Sequence, residues 1–171
     1  MTEHDRKPSP SLAMADVSAK AVTARRALAV GRILLGPEAF EAVARNALPK
    51  GDARSLAEVA GIMGAKRTPD LLPLCHPIAL DRVAVRTFLE PEKHAVAVYC
   101  LAEIRERTGV EMEALTGASI ALLTLWDLAK PLNAALEIDA VKLLYKSGGK
   151  HGEWRHPAGL SAEAEALLGT A

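Results

Sequence analysis

The fold is decided by the stretch IALDRVAVRTFLEPEKHAVAVYCLAE, residues 78–103. Over residues 78–89 apolar side chains stand between charged ones, and residues 94–103 form a second run that is rich in valine. Both patterns favour β-strands. Pro91-Glu92-Lys93 separates the two runs and indicates a turn. We therefore predict a β-hairpin.

On the amino-terminal side of the hairpin, the sequence predicts one strand and two helices. A run rich in alanine, valine and arginine indicates a strand over residues 21–34. Gly36-Pro37 then begins a helix, since proline is accommodated in a first helical turn, and residues 48–51 end it. Asp52 is a good N-cap for a second helix. Its apolar side chains recur with helical spacing at Leu56, Val59, Ala60 and Met63.

On the carboxyl-terminal side, the longest helix is predicted over residues 111–129, and Lys130-Pro131 ends it. A last strand covers residues 138–145 and is followed by Ser147-Gly148-Gly149. The predicted order is β-α-α-β-β-α-β, a split β-α-β arrangement with a doubled first helix. We therefore expect an α+β, ferredoxin-like fold, in which an antiparallel sheet has helices packed on one face.

The composition indicates one globular domain without a marked preference for a charged partner. The chain has 171 residues, and its 21 basic and 21 acidic residues give zero net charge. The net charge therefore gives no support for binding to nucleic acid or a membrane, and 4% aromatic residues argue against an RNA-binding module. Two cysteines without a CxxC motif indicate reduced thiols in a cytoplasmic protein.

The two ends of the chain are predicted to lie outside the main domain. Residues 1–13 combine prolines, serines and scattered charges, which indicates a disordered tail rather than a signal peptide. No run approaches 18 apolar residues, so no membrane span is expected. The main domain is predicted over residues 14–154, and residues 155–171 form a short helix or a C-terminal tail.

The segment AKRTPDLLPLCHP, residues 65–77, carries two cations, a carboxylate, a thiol and an imidazole. Its prolines recur at every fourth position, so we expect a stiff loop that cannot continue a helix. Such a loop either presents side chains to a ligand or is a connector with a solvated Lys66-Arg67 pair. Cys75 and His76 offer too few ligands for a metal site, and His76 is better interpreted as a polar contact or proton carrier.

Cations cluster beside the predicted turns. Lys50 precedes the start of a helix, where free amides and the helix dipole favour an anion, although a solvated lysine is the ordinary alternative. The segment Lys146-Ser147-Gly148-Gly149-Lys150 has two glycines that can turn amides toward a phosphate. A glycine turn after a strand, however, needs no ligand.

Acidic residues mark both ends of the long predicted helix. Asp127 and Lys130 lie three positions apart on one face, and they form either an exposed ion pair or a carboxylate that orients a lysine for acid–base chemistry. Glu111 and Glu113 either complement the helix dipole or face a site. Glu113 and Asp127 lie fourteen residues apart, roughly 21 Å along the helix axis. If both serve one small-molecule site, two subunits must meet there.

Taken in order, the motifs of this chain resemble those of one family. They are Asp16-Val17-Ser18-Ala19-Lys20, Lys50-Gly51-Asp52, Ala60-Gly61-Ile62, Ala65-Lys66-Arg67-Thr68, Asp70-Leu71-Leu72-Pro73-Leu74-Cys75-His76-Pro77, Thr108-Gly109-Val110-Glu111-Met112-Glu113-Ala114-Leu115-Thr116, Asp127-Leu128-Ala129-Lys130 and Lys146-Ser147-Gly148-Gly149-Lys150. The chain is similar to the cyclic pyranopterin monophosphate synthases, the molybdenum-cofactor biosynthesis protein C family. The resemblance covers residues 14–154.

The resemblance implies an enzyme that converts 3′,8-cyclo-7,8-dihydroguanosine 5′-triphosphate to cyclic pyranopterin monophosphate and releases pyrophosphate. It also implies a homohexamer, a trimer of dimers, with sites at subunit interfaces. By motif, Asp127, Lys130 and Lys50 match catalytic residues. The resemblance also implies substrate-binding residues, which by motif are Leu74, Cys75, His76, Met112, Glu113, Glu111, Lys66, Lys20, Arg25 and Lys146. No cofactor is required, although a divalent metal such as magnesium can accompany the triphosphate.

Two positions depart from the usual family pattern. Arg107 stands where lysine is common, and Gly117 occupies an alanine-type position inside the helix at a cost of about 1 kcal/mol in helix propensity. Neither change removes a catalytic group. The competing function is a non-catalytic, nucleotide-binding regulatory oligomer on the same fold, which would keep the cations but would need no proton carriers.

Overall fold

The computed structural model describes residues 12–169. Most of the disordered tail expected for residues 1–13 therefore lies outside the described residues. The helices and strands follow in the order β1 (Thr23–Leu34), α1 (Pro37–Ala44), α2 (Ala53–Lys66), α3 (Thr68–Leu71), β2 (Arg82–Glu90), β3 (Ala95–Glu106), α4 (Glu111–Ala129), β4 (Glu137–Ser147), β5 (Trp154–Arg155) and α5 (Ala162–Gly169). A 3-10 turn, Pro91–Lys93, joins β2 to β3.

The predicted hairpin forms the β2–β3 pair at one edge of the sheet. Val83 pairs with Ala102 and Leu89 with Val96 across it. β3 also pairs with β1, and β1 with β4, so the strand order is β2-β3-β1-β4-β5 with antiparallel pairing throughout. Because α4 leads from β3 to β4 on the far side of β1, the first four strands have the ferredoxin-like order. The predicted α+β fold is confirmed.

Helices cover both faces of the sheet. α2 and α4 lie on one face and form the main core with inward side chains such as Val98 and Cys100. α5 lies on the opposite face, where Leu167 belongs to a second buried cluster with Leu101. The sequence left residues 155–171 as a short helix or a tail, and the structure shows a helix there. α5 thus adds a layer to the single helical face that was expected.

The proline-rich segment is more helical than predicted. Thr68–Leu71 forms a single helical turn, α3, directly after α2. The amide of Leu72 donates to the carbonyl of Thr68 at 2.9 Å. Pro69 is accommodated because the first turn of a helix does not use its amides as donors. The expectation that this segment contains no helix is therefore wrong for its first residues, and residues 72–77 form the remaining loop.

α2 and α4 cross closely because glycines face each other. A Cβ added at Gly61 would lie 2.8 Å from the carbonyl oxygen of Gly117. A Cβ added at Gly117 would lie 2.5 Å from the Sγ of Cys100 on β3. Gly117 therefore lets α4 settle between the sheet and α2. Glycine at this position costs about 1 kcal/mol in helix propensity, but it permits a close helix contact that a side chain would block.

Within residues 12–169, α4 alone is long and apolar enough to cross a membrane by length and composition. The core helix of a sheet protein passes the same test. α4 is such a helix, because Ala114, Ala118, Leu122 and Leu125 are completely buried in the main core.

Gly117→Ala tests the helix crossing. The added methyl group gains helix propensity but collides with Cys100, so we expect a net loss of about 1–3 kcal/mol in the free energy of unfolding, the usual cost of overpacking. Urea denaturation measures this loss. In a Cys100→Ala background the same substitution should cost at least about 1 kcal/mol less. Equal costs in the two backgrounds would contradict the contact.

Candidate functional site

The glutamate pocket is a cavity of about 310 Å³ at the amino end of α4. Its walls come from the 72–77 loop, from the start of α4 and from the chain that precedes β1. It is lined by Ala15, Leu74, Cys75, His76, Ile78, Thr108, Gly109, Glu111, Met112 and Glu113. The candidate substrate-binding residues of the loop and of the helix start are thus brought together in one cavity.

Glu113 is the most deeply buried polar group of this pocket, with 3% of the residue exposed. Within residues 12–169, no other residue donates a hydrogen bond to its carboxyl. Burial raises the pKa of Glu113, the nearby Glu111 raises it further, and His76 opposes the effect. Burial also raises the pKa of the Cys75 thiol. The pocket therefore favours the neutral form of Glu113 more than water does.

The glycine-turn pocket is a cavity of about 140 Å³ beside the glutamate pocket. It is lined by Arg25, Arg26, Gly109, Val110, Glu111, Lys146, Ser147, Gly148, Lys150 and His151. The Nζ of Lys146 donates to the Oε1 of Glu111 at 3.0 Å. Glu111 and Gly109 line both cavities, so the two pockets share a wall.

The aspartate triad, Lys50, Asp127 and Lys130, lies at the other end of α4. Asp127 Oδ1 accepts a hydrogen bond from Lys130 Nζ at 2.7 Å, and Oδ2 accepts one from Lys50 Nζ at 3.2 Å. These hydrogen bonds lower the pKa of Asp127, because they stabilise the ionised carboxylate. Lys50 reaches Asp127 from the turn before α2, where the Asp52 side chain accepts from the amides of Arg54 and Ser55 as an N-cap.

The two ends of α4 do not meet within one chain. Glu113 and Asp127 lie near opposite ends of the same 19-residue helix, roughly 21 Å apart along its axis. Lys20 and Lys66 are exposed, line neither pocket, and have no ion-pair partner within residues 12–169. In this described part of the chain, no group of three or more histidine, cysteine, aspartate or glutamate side chains is arranged to hold a metal ion.

Sequence reasoning missed one contributor to the site, the backbone of Ala15. The Nε2 of His76 lies 2.8 Å from the carbonyl oxygen of Ala15, a backbone contact that no side-chain motif signals. Arg26 lines the glycine-turn pocket, pairs with Glu103 and donates to the carbonyl of Leu168 at 2.8 Å. The sequence places Arg26 among the cations beside the predicted turns, but its partners on β3 and α5 are distant in sequence, so no local pattern identifies them.

The fold and the site together define the class of this protein. It is an α+β protein with ferredoxin-like strand order and with polar clusters at both ends of its central helix. The model of the MoaC family matches residues 14–149. This chain belongs to the MoaC family, and the predicted family resemblance is confirmed. α5 follows the matched region.

Curated relatives agree over most of the chain. The cyclic pyranopterin monophosphate synthase of Rhodospirillum rubrum is 48% identical over 141 residues, which cover 82% of this chain and 85% of that one. The synthase of Pelobacter propionicus is 45% identical over 151 residues, or 88% of this chain and 94% of that one. The molybdenum cofactor biosynthesis bifunctional protein of Synechococcus elongatus is 49% identical over 145 residues, which are 85% of this chain and 46% of that protein.

Glu113→Gln should change how stability depends on pH. The pKa of Glu113 is raised above 4.5 in the folded chain, so the folded state holds this proton more tightly than the unfolded state does. The wild type should therefore lose stability relative to the variant as the pH rises above 4.5, until the difference levels off above the folded pKa. Urea denaturation of both proteins between about pH 4 and pH 8 measures this. A difference that is independent of pH would contradict the raised pKa.

Proposed function

We propose that this chain is a cyclic pyranopterin monophosphate synthase, a lyase of molybdenum cofactor biosynthesis. Its substrate is 3′,8-cyclo-7,8-dihydroguanosine 5′-triphosphate, and its products are cyclic pyranopterin monophosphate and pyrophosphate. The observation that carries the proposal is the aspartate triad, in which one carboxylate holds the ammonium groups of Lys130 and Lys50 at 2.7 and 3.2 Å. Membership of the MoaC family supports the assignment.

The triad suits the phosphate chemistry of this reaction. A cyclic phosphate forms with loss of pyrophosphate when a hydroxyl oxygen attacks the α-phosphate and the bond to the β-phosphate breaks. Negative charge then develops on the leaving pyrophosphate, and fixed cations such as Lys50 and Lys130 stabilise it. The ring rearrangement also needs proton transfers, for which positioned lysine and aspartate side chains are suitable groups.

The glutamate pocket suits the heterocycle of the substrate. Glu113 offers a buried carboxyl that accepts from its own backbone amide but from no other residue within residues 12–169, so it has capacity left to bind a ring N–H or carbonyl group of the substrate. Leu74 and Met112 add apolar surface at the rim of the same cavity. Polar and apolar residues share the lining, and apolar contact combined with a few placed polar groups is how small-molecule sites hold their ligands.

An apolar face on α2 and α4 supports a site that is shared by two subunits. Leu56, Val59 and Met63 on α2 and Leu123 on α4 are 44–57% exposed and form this apolar face. This apolar face carries two further cavities, distinct from the glutamate pocket and the glycine-turn pocket, and Ile120 lines both of them. Large apolar side chains that are exposed together mark an interaction surface.

Ile120 also lies midway between Glu113 and Asp127, seven residues from each. A two-fold axis through the apolar face at Ile120 would set two α4 helices antiparallel. The Asp127 end of one subunit then lies against the Glu113 end of the other, and two identical sites are completed. We propose this dimer as the smallest active unit. The homohexamer, a trimer of such dimers, is proposed from the likeness to the family.

Location and cofactors follow from the same proposal. Cys75 and Cys100 are both free thiols, which suits the reducing cytoplasm. No protein-bound cofactor is proposed, and magnesium arrives with the triphosphate as part of the substrate. No nucleic-acid or membrane partner is proposed.

Incubation with the cyclic dihydro-GTP intermediate should give the cyclic phosphate product and pyrophosphate, which chromatography and a pyrophosphate assay measure. Asp127→Asn removes the charge with little change in shape, so kcat should fall at least about 100-fold while calorimetry still detects substrate binding. Glu163→Gln on α5 is a matched control that should keep activity. Binding without turnover by the wild type would favour a non-catalytic regulatory oligomer. Unchanged turnover by Asp127→Asn would remove Asp127 from the catalytic role.

Mixing two inactive variants tests the shared site. After subunit exchange, a mixed dimer of Glu113→Ala and Asp127→Asn chains holds one site with both changes and one site with neither. Random exchange should therefore restore roughly a quarter of wild-type activity, since half of the dimers are mixed and each keeps one of two sites. If oligomers that have demonstrably exchanged subunits regain no activity, the shared site is refuted.

A further inference from the structure

Arg25 holds the chain that leads into α4. We infer that Arg25 is a positioning residue, whose guanidinium fixes residues 106–110, the entry segment, and through them the Glu111–Lys146 ion pair. The inference deepens the proposed function, on which its activity measurement rests. It differs from the substrate contact that the family resemblance implies for Arg25.

The contacts of Arg25 are made with backbone carbonyls. Its Nε donates to the carbonyl oxygen of Glu106 at 3.3 Å, and its Nη2 donates to that of Arg107 at 3.2 Å. The pairing of β1 with β3 ends where Thr23 meets Glu106. The guanidinium therefore holds the chain just where strand pairing stops. A lysine cannot reproduce this geometry, because its ammonium is a single point and lacks the planar fork of arginine.

The glycine turn after β4 is shaped around Arg25. A Cβ added at Gly149 would overlap the Arg25 guanidinium, and one added at Gly148 would overlap the carbonyl oxygen of Ala24. Both glycines have positive φ angles, 93° at Gly148 and 70° at Gly149, which glycine adopts without strain. The close approach of this turn to β1 thus explains both glycines without a bound phosphate.

The entry segment in turn places Glu111. A Cβ added at Gly109 would overlap the Glu111 carboxylate, so the carboxylate folds back over the segment. In this position Glu111 accepts the hydrogen bond from Lys146 at 3.0 Å. Since Gly109 and Glu111 line both pockets, a shift of the entry segment moves their shared wall. A displacement of about 1 Å in a site can lower a rate by about 100-fold.

Arg25→Lys separates positioning from direct substrate contact, because it keeps the positive charge and loses the fork. Arg32→Lys is the matched control. Arg32 lies on the same strand and donates through its own fork to the carboxylate of Glu90, at 2.9 Å from Nη2, outside both pockets. Each variant is compared with the wild-type full chain.

The first measurement is hydrogen–deuterium exchange of the peptide that contains residues 106–111, without substrate. We expect exchange to be at least about threefold faster in Arg25→Lys and unchanged in Arg32→Lys, because only the first change releases the entry segment. This measurement is independent of what the enzyme turns over. If the wild type makes no cyclic product, the proposed function fails and the exchange comparison still decides the role of Arg25.

The second measurement is kinetic. kcat/KM should fall at least about tenfold in Arg25→Lys and stay within about twofold of wild type in Arg32→Lys. In a Glu111→Gln background, Arg25→Lys should add no more than about a twofold loss, because both changes act on the same ion pair. Additive losses in this double variant would overturn the inference.

Two further results would also overturn it. One is an Arg25→Lys protein with wild-type exchange, whatever its kcat/KM. The other is a wild-type kcat/KM in Arg25→Lys combined with a raised KM in Arg25→Ala, which would identify Arg25 as a charge that touches the substrate. If Arg25→Lys does not fold, Arg25→Gln replaces it in the exchange measurement, because glutamine also lacks the guanidinium fork; faster exchange of residues 106–111 is again expected, and wild-type exchange would overturn the inference.

Discussion

The close approach of α2 to α4 is the constraint on which the site depends. The two helices run antiparallel, and at Gly61 and Gly117 their backbones meet without intervening side chains. The start of α2 therefore brings Lys50 to Asp127, and the end of α2 leads through α3 to the 72–77 loop at the amino end of α4. One helix crossing thus positions both polar regions, and a change in its spacing would move them together.

The same packing accounts for the apolar face. α4 turns small side chains such as Ala114, Ala118 and Ala121 toward the core, which allows it to lie close to the sheet. Its larger apolar side chain Leu123 is left outside with no covering element in residues 12–169. A surface of this kind on two adjacent helices is costly in water unless another surface covers it. The inward packing of small residues and the proposed dimer are therefore two consequences of one arrangement.

Elements with a clear local period were predictable from the sequence, and features set by distant contacts were not. α4 was expected over residues 111–129 and has these bounds, because its apolar residues recur regularly and Lys130-Pro131 ends it. α3 was missed because the rule against proline was applied to the whole segment, although Pro69 stands in a first turn. The place of α5 depends on contacts such as Tyr99 with Ser161, across 62 residues, which no local pattern reveals.

The same division applies to the candidate site. Spacing alone placed Asp127 and Lys130 on one face, as observed. Lys50 joins them through tertiary packing. Its position before a helix start indicated only an anion-binding cation, and the family resemblance alone grouped it with Asp127 and Lys130. The glycines at 148 and 149 suggested a phosphate cradle, whereas their neighbour in the structure is Arg25. A glycine pair signals close approach, but the sequence does not say whether the group that approaches is a ligand or the protein itself.

The length of α4 sets the geometry of the proposed shared site. Fourteen residues separate Glu113 from Asp127, which is close to four turns, so the two positions lie within about 40° of each other around the helix axis. An extra residue between them would rotate Asp127 by about 100° while adding only about 1.5 Å to the helix. For the proposed shared site, the number of helical turns between Glu113 and Asp127 therefore matters more than the distance between them along the helix axis. The separation that keeps the two carboxyl groups apart in one chain would allow them to meet across the two-fold axis of the proposed dimer.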